Sequence, residues 1–458
     1  MEIKILNFGP IKEFEFDLSK DLILIYGKNN IGKSYSMAVV YLLLKNLSNI
    51  DRFRLSEITR DTVEKNEKRV KDQLCQEREC RLTKTVNDII KDILNEAISE
   101  SLDNSFKNTF GEPVRLKNYK SKQPPVIRFT ISNYTIHLSI EEKIKIKEFS
   151  LNKEVTGKFS RDKDDGRAEL KQDIFELDFP KSKDSPGPLH PFIDDRIRVM
   201  IERIEKEIGA IYFFPAGRTG LEIGLQSLFP IFAELSKKRS RITERIDLPI
   251  MAEPIADYIL QLSEIDSHLT GKNKYLDIAA LIEKKILKGE VGFDPRKKRL
   301  TYKPIDSELT LDMSFVSSMV SELSPIVGFL KYILGSKTGD ADIKPVIFIE
   351  EPEAHLHPEA QVQLVDIFVK LAEAGVKLII TSHSNYMFNK LTNMVIGKTL
   401  HLSMFAPVIL KDTGAGSIGK SMEADSLGIE DENFMDTADA LYEERENIIE
   451  TLNTAPDD

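Results

Sequence analysis

The sequence has 458 residues but no tryptophan and only two cysteines, Cys75 and Cys80. Both cysteines lie in a charged, helix-like stretch without a nearby histidine or second cysteine pair, which disfavours a metal site there and indicates a reducing compartment. Long apolar runs are also missing, because MAVVYLLL at 37–44 is too short to span a bilayer. The first residues lack the basic-then-apolar order of a signal peptide. We therefore expect a cytoplasmic protein without membrane contact.

An excess of positive charge is missing, since 64 basic residues stand against 74 acidic ones and the formal net charge is −10. This disfavours a surface that is broadly covered by nucleic acid. The charge is uneven, however, because segment 423–458 has 13 acidic residues and one arginine, a composition typical of a solvated helix or an interaction tail. The basic runs KKRSR (237–241) and PRKKR (295–299) are each interpreted either as solvated faces or turns, or as contacts to DNA.

The order of strand and helix patterns predicts an α/β core that is interrupted by insertions. Apolar runs such as LILIY at 22–26 predict buried strands, and the alternation at 125–151 predicts two or three antiparallel strands. The predicted units are an N-terminal part of the core (1–50), a helical and antiparallel β insertion (51–205), a return to the core (206–221), a helical insertion (222–288), a C-terminal part of the core (289–410) and an acidic tail (411–458).

Residues 27–34, GKNNIGKS, match the phosphate-binding pattern G-x-x-x-x-G-K-S in full, between an apolar strand and a predicted helix. Gly27 and Gly32 let the loop curl so that its N–H groups point at phosphates. Lys33 supplies a positive charge to the β- and γ-phosphates, and the Ser34 hydroxyl takes a magnesium position. The sequence thus predicts ATP and Mg²⁺ as cofactors, with nucleotide contacts from Gly27, Asn29, Asn30, Gly32, Lys33, Ser34 and Tyr35.

A second polar cluster, EEPEAHLHP at 350–358, follows the apolar run VIFI. Taken alone, so many acids and histidines suggest a zinc or two-metal site. Beside a phosphate loop, a buried strand that ends in an acid instead predicts a magnesium ligand, which is Glu350. The adjacent Glu351 is then placed to activate the attacking water. A further apolar strand ends before His383, which suits contact with the γ-phosphate or the water.

The phosphate loop and EEPEAHLHP together resemble the ABC-type ATPase fold of the SMC, RecF and OLD (overcoming lysogenization defect) proteins. The sequence EEPEAHLHP is characteristic of the OLD- and RecF-like branch. The resemblance covers about 1–50, 205–225 and 288–400. It implies an α/β fold, namely an ABC-type P-loop ATPase head with an antiparallel β subdomain and helical insertions.

The same resemblance implies roles for single residues. Glu350 is the magnesium ligand together with Ser34, Glu351 is the catalytic glutamate and His383 is the switch histidine. The segment 353–358 is the D-loop at a dimer interface, and a separate metal site at its two histidines is the weaker alternative.

ABC-type ATPases act as dimers in which a signature motif of one subunit caps the ATP of the other. The matching segment here is SFVSSMVSELSP (314–325), in which the expected nucleotide contacts are Ser317, Ser318 and Ser321. The segment has no glycine, so it is either a degenerate signature motif that slows hydrolysis or a Ser-rich helix cap. The segment FFPAGRTG (213–220) occupies the Q-loop position, and its conspicuous polar residue is Arg218. This arginine either senses phosphate or a neighbouring subunit, or it has a structural role.

Many OLD proteins carry a Toprim nuclease, which needs a D-x-D pair, but the 75 residues after His383 contain none. We therefore expect an ATPase that works with a separate effector. The resemblance extends to ATPases of anti-phage systems such as Septu and PARIS, which implies a homodimer or higher homo-oligomer acting as sensor and scaffold for a nuclease or toxin. A RecF-like DNA-repair clamp and a nucleotide-bound scaffold with little turnover are the alternatives.

Overall fold

The computed structural model describes residues 1–77, 79–118, 120–121, 123–159, 167–171, 174–180, 187–221, 224, 237, 251–265, 273–335, 344–422, 428–429 and 435–454. The α-helices in these ranges are α1 (Lys33–Ser48), α2 (Arg52–Glu77), α3 (Thr83–Phe110), α4 (Leu189–Glu207), α5 (Glu253–Ser263), α6 (Lys274–Ile282), α7 (Ser318–Gly328), α8 (Pro358–Glu373), α9 (Asn385–Ile396) and α10 (Met435–Thr454). Helices α6 and α7 continue into π-helical turns at Glu283–Leu287 and Phe329–Leu334.

The strands of the described residues are β1 (Glu2–Phe8), β2 (Ile11–Asp17), β3 (Leu22–Tyr26), β4 (Glu79–Arg81), β5 (Val126–Ile131), β6 (Tyr134–Ile140), β7 (Ile144–Leu151), β8 (Glu154–Phe159), β9 (Arg167–Lys171), β10 (Ile174–Phe179), β11 (Ile211–Phe214), β12 (Gly289–Asp294), β13 (Arg299–Pro304), β14 (Leu311–Asp312), β15 (Val346–Glu350), β16 (Lys377–Ser382), β17 (Phe405–Asp412) and β18 (Ser417–Ser421).

Eleven of these strands form one sheet, in the order β11-β15-β16-β3-β17-β18-β2-β1-β5-β6-β7. Its first five strands are parallel to one another. Strand β3 lies inside this parallel part and is buried along its whole length. Its side chains alternate between two cores, because Leu22, Leu24 and Tyr26 belong to one and Ile23 and Ile25 to the other. Burial on both faces explains why the strand is apolar at every position.

Parallel strands point in one direction, so the carboxyl ends of β3, β11, β15 and β16 lie along one edge of the sheet. The chain leaves these ends at Gly27, Pro215, Glu351 and His383. Ligands of open α/β sheets bind outside the carboxyl ends of the strands. The topology therefore gathers the predicted phosphate loop, the acids and the histidine at one place, although they are more than 300 residues apart in sequence.

The alternation at 125–151 is present as three antiparallel strands. Strands β5, β6 and β7, predicted as part of an insertion, extend the main sheet because β5 pairs with β1. Strands β4, β8, β10 and β9 form a second sheet, in that order. The PRKKR segment forms a turn between β12 and β13, and β14 pairs with β13 as a third strand. Of the KKRSR segment only Lys237 is described, so the remainder lies outside the described residues.

None of the described helices combines the length and the apolar composition that crossing a bilayer requires.

Candidate nucleotide-binding site

The loop at 27–32 follows β3 and leads directly into α1. It includes three residues in the left-handed region, with φ of 151° at Gly27, 61° at Asn30 and 104° at Gly32. A side chain at Gly27 would meet the Leu410 carbonyl at 2.7 Å, and one at Gly32 would meet Pro10 and Ile11 at 2.9 Å. Both glycines are therefore required by backbone angle and by space.

Helix α1 begins after Gly32, which has no side chain to cap it. The first N–H groups of a helix lack partners within the helix, and the helix dipole adds positive potential there. The loop borders a cleft of about 640 Å³, lined by Pro10, Asn29, Asn30, Gly32, Lys33, Ser34, Tyr35, Glu351 and His383. All predicted contacts of the phosphate loop except Gly27 thus line one cleft, and the Gly27 carbonyl accepts a hydrogen bond from Lys33 of that lining.

Lys33 is only 5% exposed, and its ammonium group lies under the loop. Its Nζ donates to the carbonyls of Gly27 and Lys28, both at 2.7 Å. Burial lowers the pKa of Lys33 to about 8, while the negative charges of Glu351 and Glu353 act in the opposite direction. The charge of this lysine is therefore held in a partly desolvated place, where a phosphate group would compensate it.

Glu350 and Ser34 meet although they belong to β15 and α1. The Ser34 hydroxyl lies close enough to the Glu350 carboxylate to lower its pKa, and the N–H of Ala216 lies 3.4 Å from the same carboxylate. Burial raises the pKa of Glu350, and the Ser34 hydroxyl opposes that shift. A hydroxyl and a carboxylate at the phosphate side of a loop are the oxygen donors that Mg²⁺ accepts beside nucleotide phosphates. The residues present therefore fit a magnesium-nucleotide complex.

A chain of polar contacts runs from Lys33 through His383 to Glu351. Lys33 Nζ lies 3.2 Å from His383 Nδ1, and His383 Nε2 lies 3.2 Å from Glu351 Oε1. Because an ammonium group only donates, Nδ1 accepts and the ring proton resides on Nε2, which donates to the carboxylate. This bond lowers the pKa of Glu351. The arrangement keeps Glu351 ionised and its side chain 39% exposed to the cleft.

Glu353 orients the histidine, a role that the sequence did not suggest. Its carboxylate accepts hydrogen bonds from the Ser382 hydroxyl at 2.8 Å and from the His383 main-chain N–H at 2.5 Å. The only signal in the sequence is the third acid of EEPE, which the resemblance places in the D-loop at a dimer interface. Glu351 itself has φ of 42°, so the chain bends sharply between the acid that ends β15 and the one that faces the cleft.

The two histidines of segment 353–358 are both exposed. His357 caps α8, since its Nδ1 accepts from the Glu359 N–H at 3.4 Å. Over the ranges that the structure describes, no three His, Cys, Asp or Glu side chains group as a metal site.

A family model described as AAA ATPase domain matches residues 1–388. The chain belongs to the AAA ATPase domain family. The matched span includes the phosphate loop, the acids at the end of β15 and His383, and with the sheet it confirms the predicted α/β ATPase fold. No curated protein matches the chain.

Several solved structures are similar to this AAA ATPase domain protein at low identity. An SMC head bound to the C-winged helix domain of ScpA is 10% identical, with a TM-score of 0.38, 92% of this chain and 97% of that chain covered. The SMC head domain from Thermotoga maritima is 10% identical, with a TM-score of 0.35 and coverage of 92% and 98%. An SMC head domain with an extended coiled coil, bound to the C-terminal domain of ScpA derived from Pyrococcus furiosus, is 11% identical, with a TM-score of 0.36 and coverage of 97% and 98%.

The signature-like serines of the AAA ATPase domain do not line the cleft of their own chain. Ser317 caps α7, and its hydroxyl accepts from the Val320 N–H at 3.5 Å. Ser318 is exposed, whereas Ser321 is 2% exposed and its hydroxyl lies 2.7 Å from that of Thr219. Ser321 is thus turned into the protein, and the structure does not present it to a second subunit's phosphate as the sequence suggested.

Arg218, at the Q-loop position, is fully buried and pairs with Glu322 of α7 at 3.2 Å. A side chain without exposure does not contact a bound phosphate, so of the two alternatives the structure favours a structural arginine.

Proposed function

We propose that the protein binds and hydrolyses ATP with Mg²⁺. The observation that carries this proposal is the meeting of Ser34 and Glu350 beside a glycine loop that encloses the Lys33 ammonium group. In the proposed mechanism the loop N–H groups, the α1 dipole and Lys33 hold the phosphates, and Ser34 and Glu350 hold the magnesium ion. The ion supplies charge stabilisation at the transferring phosphoryl group.

Glu351 acts as the general base that takes a proton from the attacking water. His383 orients this carboxylate through Nε2 and is itself oriented by the Glu353 contact with its main-chain N–H. Because phosphoryl transfer depends on positioning and electrostatics, this three-residue arrangement needs no covalent intermediate.

The test compares ATP binding and hydrolysis in the wild type and in Lys33→Ala. We expect the affinity for a fluorescent ATP analogue to fall about 100-fold, since a charge-assisted contact contributes up to about 3 kcal/mol. Lys28→Ala is the matched control, because the Lys28 side chain is exposed in the same loop and outside the cleft lining. A wild type that binds the analogue no better than Lys33→Ala would contradict the proposal.

The biological setting that we propose is a sensor and scaffold subunit of a bacterial anti-phage complex, assembled as a homodimer or higher oligomer through ATP. Its support is the resemblance of EEPEAHLHP to OLD-like ATPases. Purification from the native host is expected to recover a stoichiometric nuclease or toxin, and both Lys33→Ala and Glu351→Gln are expected to abolish protection against phage. Recovery of the protein without a stoichiometric partner would argue against this setting.

A RecF-like DNA clamp is the second candidate, and one observation favours it. The turn between β12 and β13 exposes Arg296, Lys297 and Lys298, with Arg299 partly exposed beside them. Four basic side chains on a hairpin tip suit contacts to phosphates. This function predicts DNA-stimulated hydrolysis that is lost when all four are changed to alanine. Hydrolysis that is insensitive to DNA in the wild type would exclude it.

A further inference from the structure

A buried ion pair joins two segments that border the site. Arg218 follows β11 and Glu322 lies in α7, and their side chains are 0% and 1% exposed. The Arg218 Nε lies 3.2 Å from the Glu322 carboxylate and donates to the Glu322 main-chain carbonyl at 3.0 Å. Removing either partner of such a pair leaves an uncompensated buried charge. The two segments are therefore held together at this point.

The same arginine reaches the end of β15. Its Nη1 donates to the main-chain carbonyls of Pro215 and Glu350, both at 2.9 Å. Two residues before the arginine, the N–H of Ala216 lies 3.4 Å from the Glu350 carboxylate. The turn that carries Arg218 thus contacts both the main chain and the side chain of the acid that we assign to magnesium.

A second set of contacts fixes α7 on this turn. The Thr219 N–H donates to the Glu322 carboxylate at 3.2 Å, and the Thr219 hydroxyl lies 2.7 Å from the Ser321 hydroxyl. Two adjacent residues of α7 are thereby tied to two adjacent residues of the turn. A displacement of α7 therefore moves the turn, and the turn moves Glu350.

We propose that Arg218 and Glu322 are positioning residues that couple α7 to Glu350 within one subunit. The proposal rests on the proposed function, because it takes Glu350 as the magnesium ligand and α7 as the signature-like helix. Arg218 acts through Glu350 and not on the nucleotide, since its side chain has no exposed surface. Binding of magnesium and nucleotide at Glu350 then restricts the motion of α7. The first turn of this helix carries the exposed Ser318.

The chain offers a closely matched control pair. Lys331 and Glu283 lie 3.0 Å apart with side chains 11% and 14% exposed, and Glu283 also accepts the Val291 N–H at 2.7 Å. Lys331 belongs to the π-helical turn that continues α7. Both Glu322→Gln and Glu283→Gln remove one charge of an ion pair and keep an oxygen for a main-chain N–H, so Glu283→Gln reports what such a loss does away from the Arg218 turn.

The decisive measurement is hydrogen exchange of peptides from α7, with and without a non-hydrolysed ATP analogue and Mg²⁺, at a concentration where the protein is monomeric by light scattering. In the wild type and in Glu283→Gln we expect the ligands to slow this exchange at least about fivefold. In Glu322→Gln the slowing is expected to disappear, although the affinity for the analogue changes less than about threefold because the phosphate loop is intact.

Hydrolysis supplies the second readout. We expect kcat of Glu322→Gln to fall about 10- to 100-fold through misplacement of Glu350. The double variant Arg218→Lys/Glu322→Gln is expected to be no slower than the slower single variant, because coupled residues are not additive.

Retention of the ligand-dependent slowing in Glu322→Gln, or its equal loss in Glu283→Gln, would overturn the inference. A wild type that hydrolyses ATP without any change in α7 exchange overturns the inference and leaves the proposed function intact. A wild type that does not bind the analogue overturns both.

Discussion

Helices α1 and α7 both begin where the sequence predicts a phosphate, but the two helix starts are built differently. Helix α1 follows Gly32 at φ of 104°, without a side-chain cap, and a curled loop encloses its first turn. Helix α7 follows Ser317, whose hydroxyl already caps the first turn. The first-turn N–H groups of α1 are thus available to an anion. In α7 one of the corresponding N–H groups, that of Val320, already donates to the Ser317 hydroxyl.

This difference indicates that the two helices have different roles. The start of α1 lies next to both acids and the histidine, which together provide every group that the proposed hydrolysis needs in one chain. The start of α7 presents Ser317 and Ser318 on the surface, and Ser321 faces the Arg218 turn. We therefore expect α1 to determine nucleotide binding and α7 to determine how binding is communicated.

The largest effect is expected for Glu351→Gln. Losing a general base slows a reaction about 10²- to 10⁴-fold, while the loop and Lys33 still bind ATP. Steady-state release of phosphate and binding of a fluorescent ATP analogue measure the two properties separately. Glu359→Gln is the control, because Glu359 is an exposed acid of the same segment at the start of α8. Equal hydrolysis by Glu351→Gln and wild type would remove Glu351 from the mechanism.

A smaller effect is expected from pH. Burial lowers the pKa of Lys33 to about 8, so the ammonium form predominates below this pH and is lost above it. Raising the pH from 7 to 9 reduces the protonated fraction about tenfold, and the affinity for an ATP analogue should weaken by the same factor. In Lys33→Ala this pH dependence is expected to be absent. An affinity of the wild type that stays constant up to pH 9 would contradict the role of this ammonium group.

The smallest effect separates two neighbouring serines of α7. Ser317→Ala removes the helix cap and is expected to lower the free energy of unfolding by about 1 kcal/mol. Ser318→Ala removes an exposed hydroxyl and should leave the stability within about 0.5 kcal/mol of the wild type. Chemical denaturation measures both values. ATP-dependent association, followed by light scattering, is expected to weaken in Ser318→Ala, and equal stability losses in the two variants would remove the distinction between them.

The sequence by itself determined the local structure of the predicted phosphate loop. A glycine loop between an apolar strand and a helix binds phosphate through local backbone geometry, and local geometry follows from adjacent residue types. The buried strands β3, β15 and β16 were equally evident, because burial on both faces leaves a continuous apolar run. The acids at the end of β15 are evident for the same reason, as polar residues that terminate such a run.

Only the tertiary structure decided how distant groups meet. It placed Lys33, His383 and Glu351 in one chain of contacts, and it turned Glu353 toward His383. It also paired Arg218 with Glu322, two buried charges that lie 104 residues apart in the sequence. Contacts of this kind depend on strand order and on the exclusion of water from the interior, and neither property is encoded in a short stretch of residues.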